Sequence, residues 1–155
     1  MGMFNLIIII FAVMALLCGC GNTYNIRSGK VENTHSSTDF ASLSKTVGDR
    51  VFFDYDSSKL SQQAKVQLDK QIKWLEAHRN MGINIEGHCD ERGTEDYNMA
   101  LGARRAEQVK EYMIYNGLMP KRIDTTSYGK SRPSIIGNTE EAWERNRRAV
   151  TVLKR

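Results

Sequence analysis

The sequence predicts an α+β domain in which helices pack on one face of a mixed four-stranded sheet. Three observations carry this prediction. Short β-prone runs alternate with stretches of helical spacing in the order β-α-β-α-β-α-β. The connection between the first two strands is long enough for a helical crossover, so the helices form a layer over the sheet. Of the 155 residues, roughly 110 remain once the first 48 are set apart, which is room for one compact domain and not for two.

The elements follow in order. Val51, Phe52 and Phe53 form a short first strand, ended by the turn-rich Asp54, Tyr55, Asp56, Ser57 and Ser58. Leu60, Ala64, Leu68, Ile72 and Leu75 then recur at helical spacing, with Ser61 as N-cap and Gly82 as the glycine stop. Ile83, Ile85, Gly87 and Cys89 alternate with Asn84, Glu86, His88 and Asp90, the pattern of a half-buried strand with the polar set facing outward. Cys89 thereby reads as a small core residue. Thr94 caps a second helix whose first turn carries Glu95 and Asp96, favourable at the positive end of the helix dipole, and Gly117 ends it. A third strand spans about Ile123 to Tyr128; Asn138 with Glu141 starts a short third helix; Ala149 to Leu153 form the last strand.

The remainder of the chain reads as address and tether. Every residue from Leu6 to Leu17 is apolar, a run too short to span a bilayer but suited to a secretory leader. Leu17, Gly19 and Cys20 resemble a bacterial lipobox, with Cys20 as the lipidated first residue of the mature chain. Residues 1–19 are thus expected as signal peptide, 20–48 as lipidated cysteine and flexible tether, and 49–155 as the folded domain. A short buried helix or an uncleaved anchor remains open for the apolar run. Between Gly21 and Gly48, Phe40, Leu43 and Val47 are too scattered to form a face. The net charge of +4 comes from basic residues interleaved with Asp and Glu, which is no nucleic-acid footprint. Cys18, Cys20 and Cys89 match neither a disulfide framework nor paired zinc ligands.

The densest chemical signal runs from Gly87 to Ala106. On a helix Asn98 and Arg105 are about 20° out of phase, two turns apart, with Leu101 and Gly102 between them. Asp90 sits where a strand gives way to the loop entering that helix. An acid, an amide and a guanidinium around one small pocket suit a zwitterionic amino-acid head group: Asp90 for the ammonium, Arg105 for the carboxylate, Asn98 for orientation. Gly93 and Gly102 would leave the ligand room. By spacing alone, Asp90 with Arg105 also reads as a structural salt bridge.

The Gly87 to Ala106 block, together with Phe53, Asp54, Asp56, Ser57 and Leu60, Ser127, Tyr128, Gly129 and Pro133, and Asn146, Arg147 and Arg148, closely resembles the OmpA-like peptidoglycan-binding family. The resemblance implies that Asp90 and Arg105 are the central ligands of the diaminopimelate in peptidoglycan stems, supported by Asn98 and Leu101, with Asp54, Tyr55 and Thr94 at the rim. Of Arg147 and Arg148, which alternate on the last strand, Arg147 is assigned to the pocket and Arg148 to the surface. The resemblance also implies peptidoglycan, TolB and the other Tol proteins as partners in envelope integrity and in drawing the outer membrane inward at cell division. It further implies a lipid-anchored outer-membrane location with the domain in the periplasm, and no cofactor beyond the lipid on Cys20. OmpA-like domains also serve in flagellar stators and porins; the lipobox favours a free lipoprotein. Two other readings are weighed. Asp54 with Asp56, or Asp90 with Glu91, could pair as carboxylates of a glycan hydrolase, but no apolar pocket is evident to raise one pKa and no nucleophile sits beside a base. His88, Cys89 and Asp90 as metal ligands would point to opposite faces of a strand. Trp74 and Trp143 read as packing residues.

Overall fold

The computed structural model describes residues 43–154. The apolar leader, Cys20 and the tether up to residue 42 lie outside the described residues. The elements are β1 (Arg50–Phe52), α1 (Gln62–Ala77), β2 (Ile83–His88), α2 (Glu95–Tyr115), a 3-10 turn (Pro120–Arg122), β3 (Ile123–Gly129), α3 (Glu140–Asn146) and β4 (Arg148–Leu153). The four strands form one mixed sheet in the order β1-β4-β2-β3. β4 is antiparallel to both β1 and β2, whereas β2 and β3 are parallel, joined by α2 as the crossover. β1, β2 and β3 therefore run the same way, and their C-terminal ends meet at one edge of the domain.

The inner face of the sheet and the buried stripe of α1 and α2 make the core. Ala64, Leu68, Ile72 and Leu75 of α1 are buried, as the periodicity requires, against Val51, Phe53, Ile83, Ile85, Ala149 and Leu153. Ser61 accepts from Ala64 N at 3.1 Å and Thr94 from Tyr97 N at 3.3 Å, so both expected N-caps are in place. Gly117, in the left-handed conformation at φ 105°, closes α2 with its N–H on Ile114 O, while Leu118 N reaches Met113 O.

Five expectations need correction. Gly82 is not the stop of α1: the helix ends at His78, whose Nδ1 lies 2.7 Å from Trp74 O, and Gly82 belongs to the entry of β2. The N-cap of α3 is Thr139, not Asn138, with its hydroxyl accepting from Ala142 N. Leu43 is fully buried in the core and Val47 packs against it, so the folded domain begins before residue 49. The carbonyls of Val47 and Gly48 are fixed by Gln67, and Gly48 also by the buried Gln71, whose Oε1 accepts from Thr151. Scattered apolar residues suffice there because polar side chains of α1 satisfy the segment's backbone. Finally, the polar set of β2 does not all face solvent: His88 is 2% exposed, beside the Tyr128 ring and under the basic Arg148 and Arg132. Arg148, expected at the surface, is 7% exposed and donates to Asn146 O and Arg132 O.

Gly87 and Gly102 fix how closely α2 lies on the sheet. A methyl at Gly87 would overlap the Gly102 carbonyl, and one at Gly102 would meet the Ser127 hydroxyl, which donates to Met99 O at 2.7 Å. Gly102 thus serves helix–sheet approach and leaves no room for a ligand. Since backbone rather than a movable side chain stands in the way, Gly87→Ala is expected to cost about 3 kcal/mol or more of stability, readable in urea unfolding; a loss under about 1 kcal/mol would show that the contact relaxes easily.

Candidate functional site

At the edge where β2 ends and α2 begins lies a cavity of about 240 Å³, lined among others by Asp90, Asn98, Leu101, Arg105 and Tyr55. The volume suits the head group of one amino acid. Cys89 N bonds Gly129 O at 2.8 Å and so holds the β2 end to β3. Asn98 Nδ2 donates to Arg92 O at 2.8 Å and Thr94 O at 3.0 Å, fixing the loop that carries Asp90. Asn98 is therefore a brace for the wall of the cavity. Cys89 Sγ donates to Asn98 O at 3.3 Å, and Cys89 lines the cavity instead of joining the main apolar cluster.

Arg105 is 1% exposed and forms no ion pair among the described residues. It donates instead to three carbonyls: Nε to Ser57 at 2.8 Å, Nη1 to His88 at 2.8 Å and Nη2 to Asp54 at 3.1 Å. Two of these belong to the loop after β1, and the third to the end of β2. A guanidinium carries five N–H groups, so one remains on each terminal nitrogen, the arrangement that forks onto a carboxylate. Burial lowers its pKa from the ordinary value, with the nearby Cys89 and Asp90 opposing.

Asp90 is 4% exposed and already paired. Arg92 donates to it through its backbone N at 3.1 Å, Nε at 3.3 Å and Nη2 at 2.7 Å, and Arg147 Nη1 lies 3.4 Å away. Burial alone would raise this carboxyl's pKa; the Arg92 and Arg147 bonds outweigh it and hold the pKa below the usual value. The shift is opposite in direction to the raised pKa that the proton donor of a glycan hydrolase needs. The ion pairs of Asp90 are with Arg92 and Arg147, so the salt bridge between Asp90 and Arg105 that spacing allowed does not form.

The remaining expected residues divide. Tyr55 lines the cavity; Asp54 gives it only the carbonyl on Arg105 and borders a neighbouring groove; Thr94 is spent on capping α2. Arg147 stands behind Asp90, joined to Phe53 O at 3.1 Å and Glu140 at 3.0 Å. Arg92 and Tyr97 line the cavity without having been given a role from sequence, and Asp56, weighed there only as one of a carboxylate pair, lines it too. The Arg92 guanidinium lies 4.1 Å from the Tyr55 ring centroid and 4.0 Å from that of Trp143, between two aromatic faces. The Tyr97 hydroxyl donates to Asp56, tying the first loop to α2. The one available signal for Arg92 was its place two residues after Asp90, where an aspartate side chain commonly accepts the backbone N–H of an Asx turn. No cluster of three His, Cys, Asp or Glu able to hold a metal occurs among the described residues.

With this geometry in hand, residues 52–147 match the OmpA family. The chain belongs to that family. A peptidoglycan-associated lipoprotein of Rhizobium meliloti is 40% identical over 157 residues, which covers 96% of this chain and 88% of that protein. One of Brucella melitensis is 47% identical over 118 residues, 76% of this chain and 68% of the relative. The crystal structure of the peptidoglycan-associated lipoprotein from Burkholderia pseudomallei superposes with a TM-score of 0.66 at 37% identity, covering 68% of this chain and 90% of that one. The C-terminal domain of Helicobacter pylori MotB, at 22% identity and TM-score 0.64, shares the fold. The family binds and does not catalyse, and it uses no cofactor.

His88 adds a pH dependence. Burial and the positive Arg148, Arg132 and Arg50 lower its pKa from 6.5 to about 4, and both ring nitrogens lack hydrogen-bond partners. It is neutral in the fold, while the unfolded chain takes up a proton below pH 6.5. Its contribution to stability is therefore complete above pH 6.5 and lost as pH falls toward 4, by about 3 kcal/mol. Urea unfolding of wild type across that window is expected to show the decline, and His88→Leu to flatten most of it; an equal decline in the variant would assign it to other groups.

Proposed function

We propose that this protein is a lipid-anchored outer-membrane protein whose periplasmic domain holds peptidoglycan non-covalently through the diaminopimelate of its stem peptides. The observation that carries the reading is that a buried carboxylate and a buried guanidinium with spare N–H groups face one cavity of about 240 Å³. The free end of a diaminopimelate side chain is a zwitterionic amino-acid head group. Its carboxylate takes the two unused N–H groups of Arg105, and its ammonium takes Asp90.

Asp90 has about four lone-pair sites, and all are engaged by Arg92 and Arg147. The incoming ammonium therefore replaces part of the Arg92 pairing. Arg92 keeps Tyr55, Trp143 and Glu140, 3.8 Å from its Nη1, as alternative partners, so the exchange leaves no charge stranded in a dry site. Leu101 supplies an apolar wall and Asn98 holds the loop in shape. Cys20 carries the lipid, with several acyl chains at about 0.8 kcal/mol per buried methylene. The names of the relatives support association with the cell wall. TolB and the other Tol proteins are the proposed protein partners, in a system that maintains the envelope and draws the outer membrane inward at division.

Calorimetry of the Cys20→Ser chain with a diaminopimelate tripeptide is the direct test. The lysine tripeptide lacks the terminal carboxylate and is expected to bind at least about 30-fold more weakly, as is the diaminopimelate ligand to Asp90→Asn or Arg105→Lys, since breaking a buried charged pair costs about 2 kcal/mol or more. Near-wild-type affinity in both variants would remove these residues from the site. In cells, Cys20→Ser is expected to move the protein from the membrane fraction to the soluble periplasm, and retention on the membrane would point to an uncleaved anchor.

A further inference from the structure

The end of the domain opposite the pocket has a chemistry of its own. It is built from the last turns of α1 and α2, the Met119–Arg122 turn and Lys154. Arg122 gathers them, donating to Met81 O at 2.8 Å and to Leu75 O and His78 O at 3.0 Å, while Lys154 N reaches Gly82 O at 2.8 Å. On this frame Tyr115 is 90% exposed and Met119 46% exposed. Arg79 and Lys121 stand exposed beside them, without an ion-pair partner among the described residues. The acids of this end are Asp124, tied to Lys154, and Glu76, which lies beside Gly117 three residues before Arg79. Arg79, Lys121 and Arg122 outnumber Glu76, so the pole keeps net positive charge around an aromatic ring and a thioether.

The direction of the strands puts the entry into β1 away from the pocket edge. β1, β2 and β3 all run toward the pocket edge, so the segment leading into β1 arrives from the far side. Val47 and Gly48 are bonded to Gln67 and Gln71 at the middle of α1, which runs away from the pocket. The residue expected to carry lipid, Cys20, lies upstream of that entry.

We propose that this pole is a membrane-contact surface, in which Arg79, Lys121 and Arg122 meet anionic phospholipid headgroups and Tyr115 and Met119 sit at headgroup level. The inference rests on the lipid-anchored reading above. Cations near an anionic bilayer gain about fivefold in affinity each, and an amphipathic ring with one wet end suits the interface. Such attraction is too weak to recruit a free protein firmly but sufficient to orient one already held by acyl chains. Tyr115 lies 17 helical positions beyond Asn98 (115 − 98), or about 25 Å along the axis of α2. With the pole on the bilayer, the pocket stands that far out, facing the wall.

The test uses the full lipidated chain in vesicles of phosphatidylethanolamine with and without phosphatidylglycerol, read by amide hydrogen exchange. Exchange over residues 114–122 is expected to slow only on the anionic vesicles. Arg79→Glu with Lys121→Glu should abolish the slowing while leaving the vesicle-bound fraction unchanged. Slowing that persists in the double variant, that is equal on both lipids, or that is absent throughout overturns the proposal; slowing that grows with protein density on the vesicles assigns the surface to a second copy and overturns it as well. A second arm needs no anchor: the Cys20→Ser chain should cosediment weakly with anionic vesicles in low salt, and the double variant should lower that at least about tenfold, with no difference counting against the surface. Should the wild-type chain wash off vesicles as readily as Cys20→Ser, the anchor reading fails, and the second arm still decides the fate of the pole.

Discussion

The pocket end of the domain depends on Arg105, a buried cation that has no anionic partner among the described residues. Arg105 sits at the junction of β2, α2 and the loop after β1, and its charge is compensated by the carbonyls of Asp54, Ser57 and His88. Removing a guanidinium from water costs several kcal/mol unless its donors are satisfied, and three carbonyls satisfy three of five. That compensation does two things together. It pins the loop after β1 to the end of β2, and it leaves two of the five N–H groups without a carbonyl beside the cavity that Arg105 lines. The fixing of the cavity wall and the carboxylate binding proposed for Arg105 rest on the same side chain.

Around that cation the other charges are held apart by geometry rather than allowed to neutralise one another. Asp90 does not pair with Arg105; Arg92 and Arg147 occupy it from other sides. The arginines keep it ionised in a buried place, which gives the cavity a fixed negative point a few residues from a fixed positive one. The dipolar head group proposed above would meet both charges, whereas a lone cation or a lone anion would meet one. Arg92, sandwiched between Tyr55 and Trp143, is the member of the set with partners outside the Asp90 pair.

The same domain is polar along its long axis. The 21-residue α2 begins at the pocket with Glu95 and Asp96 and ends at Tyr115, and the three co-directional strands share that axis. The close backbone approach at Gly87 and Gly102 locks helix and sheet into one rigid strut. A rigid strut with an amino-acid pocket at one end and a cationic, aromatic surface at the other is suited to bridging two fixed layers, because the separation it sets does not depend on a soft joint within the domain.

The sequence by itself determined what is local. The spacing of Leu60 through Leu75, the caps at Ser61 and Thr94, the glycine stop at 117 and the alternation of β2 are each written within a few residues of chain, and a helical stripe or a capping hydroxyl acts over that range. The grouping of Asp90, Asn98, Leu101 and Arg105 was legible for the same reason, since one strand end and one helix face suffice to place them. What only the tertiary structure decided is which charge meets which partner. Arg105 bonds carbonyls 48 and 51 positions away, Arg147 reaches Asp90 across 57, and Arg148 and His88 are buried by a loop whose path no periodicity encodes. An ion pair is made or lost over a few ångströms, a distance set by the packing of the whole sheet, whereas a helix needs only its own residues to declare itself.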